Sequence, residues 1–250
     1  MARINAKGLL SGSVGPVAFR VVNGKAIAAS KPGKGNVKQT TATKQSASEF
    51  GMALAAAKKI RLGLSDVFGP YADAGMHRRF GTKVYEVLRS CHSKPAGTRT
   101  IADGDLNLLQ GFDFNSNSPF GQHCLLQPDI TMTEAGAIHI ALPPTIGLEA
   151  FPQKGKAAGG DLCVEVVAFD PVHWTIATRS AFVSAIAFDG TDTAASPHTT
   201  PPLEKGLLVF VTATLVYKRH HAALGTLTLN HKSLHPAAVL AVFLTAAAPA

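Results

Sequence analysis

Leu207-Leu208-Val209-Phe210-Val211-Thr212-Ala213-Thr214-Leu215-Val216-Tyr217 is the stretch on which the fold turns. β-Branched and aromatic residues fill it, and apolar side chains fall at odd and even positions alike. A strand with one wet face alternates polar and apolar residues, because successive side chains point to opposite sides. This stretch does not alternate, so it predicts a central strand covered on both faces.

Short β-type runs separated by turn residues lie on either side of it: Leu106 to Phe114, Ile130 to Thr133, Ala137 to Leu142, Leu162 to Phe169, His173 to Thr178, Phe182 to Phe188, Leu224 to Leu229 and Val239 to Thr245. No helical pattern interrupts them. Their spacing predicts an antiparallel β-sandwich over residues 96–250, with Pro143-Pro144, Lys154 to Gly160 and Thr191 to Pro202 as its long loops. Trp174 is expected inside that sandwich.

Upstream the period changes. Phe50, Leu54, Ala57, Ile60, Leu64 and Val67 are spaced 4, 3, 3, 4 and 3, which draws one apolar stripe along a helix from Thr41 to about Phe68. Ser46 and Glu49 form one candidate capping box, and Thr41 or Thr43 gives an earlier start. Gly69-Pro70 stops the helix. Met76, Phe80, Val84, Val87 and Cys91 mark the inward side of a second helix from about Ala74 to Cys91, so residues 41–95 predict an antiparallel helix pair. Residues 1–40 form a basic Gly-rich arm. In it Val17 to Val22 and Lys25 to Ser30 flank Asn23-Gly24, a strong hairpin signal because both turn positions need positive φ. Pro32 to Asn36 ends the hairpin. The predicted class is α+β: a β-hairpin and antiparallel helix pair followed by an antiparallel β-sandwich.

Charge divides the chain. Residues 1–99 hold 17 Lys and Arg against 4 Asp and Glu, and residues 100–250 hold 7 against 12. Glu49 is the first carboxylate, after eight basic side chains. Such an arm suits nucleic acid, an anionic surface or an acidic protein partner.

Other classes are disfavoured by what is missing. Every apolar run is broken before the roughly 18–20 residues a membrane span needs, and Leu9-Leu10 is too short for a Sec-type signal. Synthesis in the cytoplasm is therefore expected, with any export as part of an assembly. Cys91, Cys124 and Cys163 lack CxxC or zinc spacing and read as free thiols. GxxxxGK[ST], GxSxG and HExxH are absent. His220 and His221 are adjacent on a strand and point to opposite faces, while Pro236 denies His231 and His235 a shared helical face. Asp103, Asp105 and Asp113 lack the spacing and closing Glu of an EF-hand. No cofactor, no metal and no enzymatic activity is expected.

Arg3-Ile4-Asn5-Ala6-Lys7-Gly8, Gly12-Ser13-Val14-Gly15, Ser30-Lys31-Pro32 and Thr41-Ala42-Thr43-Lys44-Gln45 resemble the opening of a family of uncharacterised Bacteroidota proteins. Val166-Val167-Ala168-Phe169-Asp170-Pro171 and Ala177-Thr178-Arg179-Ser180 extend the likeness, which covers about a third of the chain. The resemblance implies an Ig/fibronectin-like sandwich in the C-terminal half and supplies no catalytic residue.

These features converge on a self-assembling structural subunit of a filament, tube or phage-like particle. Its partner is itself, with a head-to-tail contact made by Arg3, Lys7, Val17, Phe19, Arg20, Val21, Lys25 and Ile27 on the β-domain of a neighbouring copy. Two alternatives stand beside it. One is a nucleic-acid-binding protein with Lys31, Lys34, Lys38 and Lys44 on phosphates. The other is a surface adhesin or binding module.

Overall fold

The computed structural model describes residues 2–22, 24–31, 39–152 and 155–245. Asn23, Lys34, Lys38, Lys154 and the expected breaker at 32–36 lie outside them. The chain forms two compact units, Met1–Ser46 and Ala47–Ala250, and its class is α+β with antiparallel sheets.

The first unit holds a meander of β1 (Arg3–Ile4), β2 (Leu10–Val14), β3 (Val17–Val22) and β4 (Lys25–Ser30), hydrogen-bonded in that order. Val22 pairs with Lys25, which leaves a two-residue turn, and Gly24 has the positive φ of 76° that such a turn demands.

Helix α1 (Thr41–Gly63) begins where Thr40 Oγ1 accepts the Thr43 amide at 3.2 Å, and alanines favour its continuation. It ends earlier than expected, and α2 (Ser65–Phe68) is a separate turn. The expected stripe holds for Ala57, Ile60, Leu64 and Val67, which are buried, and fails for Phe50 and Leu54, which are 47% and 39% exposed. Small Ala53 and Ala56 take the inward positions instead, and Glu49 is buried, accepting the Gly97 amide at 2.7 Å. Helix α3 (Met76–Ser90) turns Met76, Phe80, Val84 and Val87 inward. Phe50 meets Tyr85 edge-on at 5.2 Å, and a Cβ on Gly81 would lie 2.7 Å from Leu54, so α1 and α3 run antiparallel.

The Leu106 to Phe114 strand is not formed. Asp105 Oδ1 accepts the Asn107 amide and starts a 3-10 turn over Leu106–Leu109, because a short acidic side chain competes with the ladder for its own backbone. Residues 111–114 then run beside the last strand, with Gly111 and Phe114 donating to Val239 and Ala237. A short helix α4 (Phe120–His123) leads to β5 (Asp129–Met132), β6 (Ile138–Leu142), β7 (Thr145–Ile146) and a turn, α5 (Gly147–Ala150).

The main sheet follows. It contains β8 (Gly159–Phe169), β9 (Ile176–Ala187), β12 (Leu208–His221), β13 (Gly225–Thr228) and β14 (Ala237–Leu244). β12 pairs with β8 along one edge and with β14 and then β13 along the other, as a central strand should. β9 is the outer edge, one strand where two were expected over His173 to Phe188, since Thr178 to Ala187 pair continuously with β8 and Ile176 rejoins it across a bulge at Ala177. Between β9 and β12, β10 (Asp192–Thr193) pairs with β7, and β11 (Ser196–Thr199) joins β5 and β6 in a three-stranded sheet.

Each face of the main sheet has its own core. Val167, Phe169, Leu208, Phe210 and Val239 pack under α1 and α3. Val164, Val166, Val209, Val211, Leu215 and Tyr217 pack against Ile138, Ile140, Leu142 and Phe151. The β12 run is thus apolar at both parities because helices cover one face and strands the other. Trp174 packs at the margin of the helix-side core, in a left-handed turn with φ 57°. Val67 ties the layers together, its carbonyl accepting from Thr214 Oγ1 at 2.6 Å and His235 Nε2 at 3.1 Å.

Candidate functional site

The first unit is unusual in having no core. Among its described residues none is buried. Ile4 is 70% exposed and Val14 60%.

Register sorts its side chains into two faces, since directly paired residues in antiparallel strands point the same way. Val14 pairs with Val17, Phe19 with Ala28 and Val21 with Ala26, so one face carries Val14, Val17, Phe19, Val21, Ala26 and Ala28 and no charge. Arg20 pairs with Ile27 and Val22 with Lys25, which puts Arg20, Val22, Lys25 and Ile27 together on the other face. Lys31 Nζ donates to Ser13 Oγ at 3.3 Å, on that basic side.

Of the expected contact residues, the sheet therefore unites Val17, Phe19 and Val21 and places Ile27 with Arg20 and Lys25 across from them. Arg3 pairs with Ser11 at the short edge strand β1. Lys7 lies in the β1–β2 turn, where Asn5 Oδ1 accepts the Lys7 and Leu9 amides at 3.0 Å. Ala26 and Ala28 were missed as members of the apolar face. Alternation in Lys25 to Ser30 carried them, but alanine is too small to announce a face on its own.

All ten histidines lie in the second unit, where the polar clusters serve the fold. His123 is buried between Ser118 Oγ (3.1 Å) and the Tyr217 hydroxyl (2.9 Å), and burial pushes its pKa down. His235 sits against Asn230 Nδ2 at 2.9 Å and is likewise pushed down by burial. His220 and His221 are consecutive on β12, as expected. Asp103 binds Lys94 and Thr100, Asp105 caps its turn, and Asp113 accepts the Phe120 amide, so the three carboxylates serve separate sites. Among the described residues no group of three or more His, Cys, Asp or Glu could hold a metal ion. Burial pushes the Cys124 thiol up to about 11, which keeps it protonated. A groove beside α3 is lined by Arg78, Arg79, Phe112 and Asp113. Its Arg79 is already bound to Asp73 and to the Asp113 carbonyl.

No helix among the described residues is long and apolar enough to cross a membrane. No family model matches the chain, and no match was found among curated proteins or solved structures.

Proposed function

We propose that the chain is a self-assembling structural subunit of a filament, tube or phage-like particle, whose N-terminal sheet docks head to tail on the β-domain of a neighbouring copy. One observation carries this. A four-stranded sheet presents an uncharged apolar face, yet none of the described residues in its unit is buried. Apolar burial supplies most of the drive for folding and association, and exposed apolar patches mark contact surfaces. The stacking of the three-stranded sheet on the main sheet supports treating the β-region as a sandwich of the Ig/fibronectin kind, in line with the Bacteroidota resemblance.

The charge distribution supports the same order of contact. All of the +8 net charge belongs to residues 1–46, which have eight basic and no acidic residues, so residues 47–250 carry 16 of each sign. Arm-to-arm pairing brings like charges together, whereas arm-to-body pairing does not.

Sedimentation of the intact protein at moderate salt tests the proposal, with a large species expected. Deleting residues 1–36 is expected to abolish it and leave a folded body, because every residue of the two cores lies at or beyond Ala53. A chain that stays monomeric at high concentration without nucleic acid rejects the assembly function. The second reading, nucleic-acid binding, is favoured by Arg20, Lys25 and Lys31 gathering on one side of the sheet. It predicts instead a monomer whose affinity for DNA or RNA falls steeply with salt.

A further inference from the structure

The main sheet is open on part of its helix side. Cover ends near Thr214, which is held by Val67. Beyond it the same face continues through Ala181, Val183 and Ala185 of β9, Glu165, Cys163 and Asp161 of β8, and Val216 of β12. Val183 is 58% exposed, Ala181 and Ala185 are exposed, and Cys163 and Val216 are half-buried. The polar groups at its margins are already paired, Asp161 with Lys218 and Glu165 with Arg179. What remains is a solvent-exposed strip of small apolar side chains flanked by paired charges, bordered by an edge strand with no charged residue from Ser180 to Phe188. Edge strands in soluble proteins are normally guarded by Lys, Pro or a covering segment.

We infer that this open face is the acceptor for the N-terminal sheet of a second copy, an inference that rests on the assembly function proposed above and names its receiving surface. The two faces are complementary in bulk. Val14, Val17, Phe19 and Val21 project from one, and Ala181, Ala185 and Cys163 leave depth for them in the other. Packed sheets lie about 10 Å apart, with side chains interdigitating. The basic face, on the far side of the arm, stays wet. The occupant is a copy of the chain because both unfinished faces belong to it, and the net-neutral body receives a basic arm that another basic arm repels. Donor and acceptor differ, so the contact is heterologous and propagates to a ring or filament. The arm face spans roughly 300 Å² for strands of five, six and six residues, well below the ~800 Å² per partner of a stable pair. Each contact alone is weak, and assembly depends on concentration.

Cys163 reports on this surface. The other two cysteines are buried, so maleimide labelling of the full-length protein, read on the Cys163 peptide, follows exposure of the acceptor. Labelling is expected to slow at least tenfold as concentration drives assembly, in parallel with sedimentation. Val183→Glu and Phe19→Glu are each expected to abolish both assembly and protection, with circular dichroism confirming that the body is folded. Ala181→Arg gives a second break of the acceptor should Val183→Glu misfold. Assembly with Cys163 labelled at an unchanged rate overturns the acceptor and leaves the assembly function standing. Full protection in a dilute monomer also overturns it, by placing the arm on its own body. Absence of assembly at any concentration removes the proposed function, and the acceptor with it.

Discussion

The two units obey opposite rules. Ala47–Ala250 is held from within, with a buried core on each side of one sheet, while Met1–Ser46 has regular strands, a positive φ at Gly24 and no buried described residue. Backbone pairing alone thus produces recognisable architecture without producing stability, since net hydrogen-bond gains are small and apolar burial supplies most of the drive. The body closes two cores of its own, and the arm closes none among its described residues.

The largest break in the comparison is Phe210→Ala. This side chain is fully buried on β12, edge-on to Phe169 at 5.8 Å, and its loss is expected to cost about 3–5 kcal/mol in denaturant unfolding. Phe19→Ala in the arm is expected to change body stability by less than about 0.5 kcal/mol. Equal effects would show that the arm belongs to the body's cooperative unit.

Gly147→Ala ranks next. Its Cβ would stand 1.9 Å from the Ala187 carbonyl oxygen, a backbone atom that cannot swing aside, so a loss of about 1–3 kcal/mol is expected by calorimetry. Gly24 is the contrasting glycine. Nothing lies within 4 Å of its missing Cβ, and only its φ of 76° requires it. Gly24→Val is expected to strain the turn by about 1–2 kcal/mol, leaving the melting of the body unchanged while weakening assembly. Unchanged sedimentation would detach the hairpin from assembly.

The smallest effect is one of pH. Burial lowers the pKa of His123 and His235 from 6.5, so the unfolded chain takes up protons first as pH falls. The stability this confers is full above the unfolded value and is lost as pH drops through 6.5 toward the folded values. His235 Nε2 donates to the Val67 carbonyl while Nδ1 faces the Asn230 amide donor, which leaves no place for a second proton. His235→Gln, which can retain the bond to Val67, is expected to reduce the fall between pH 7 and 5 in thermal melts. An unchanged profile would remove His235 as its source. Asp113 and Glu165, raised by burial, act in the opposite sense from a lower starting range, near 3.8 and 4.5.

Much of this was legible in the sequence where one residue type admits one conformation. β12 was readable because polar residues almost never fill a run covered on both faces, and the β3–β4 turn because glycine at 24 tolerates positive φ. The α1 stripe misled because bulky Phe50 and Leu54 outweighed Ala53 and Ala56 in a pattern sense, although small residues allow closer packing. The Leu106 to Phe114 run has strand composition, and only the competing hydrogen bond of Asp105 unmakes it. The open strip of β9 and β8 could not be read at all. Its residues alternate like any half-buried strand, and their exposure depends on how far along the sheet α1 and α3 extend.

The two hydrogen bonds accepted by the Val67 carbonyl tie it to Thr214 and His235, 147 and 168 residues further along the chain. During synthesis α1 and α3 emerge more than 100 residues ahead of Leu208, Phe210, Val239 and Val242, which complete their core. The helices therefore wait on the ribosome with their apolar sides unclosed, and the order of translation, more than any single contact, sets how long the nascent chain is vulnerable to aggregation and dependent on chaperones.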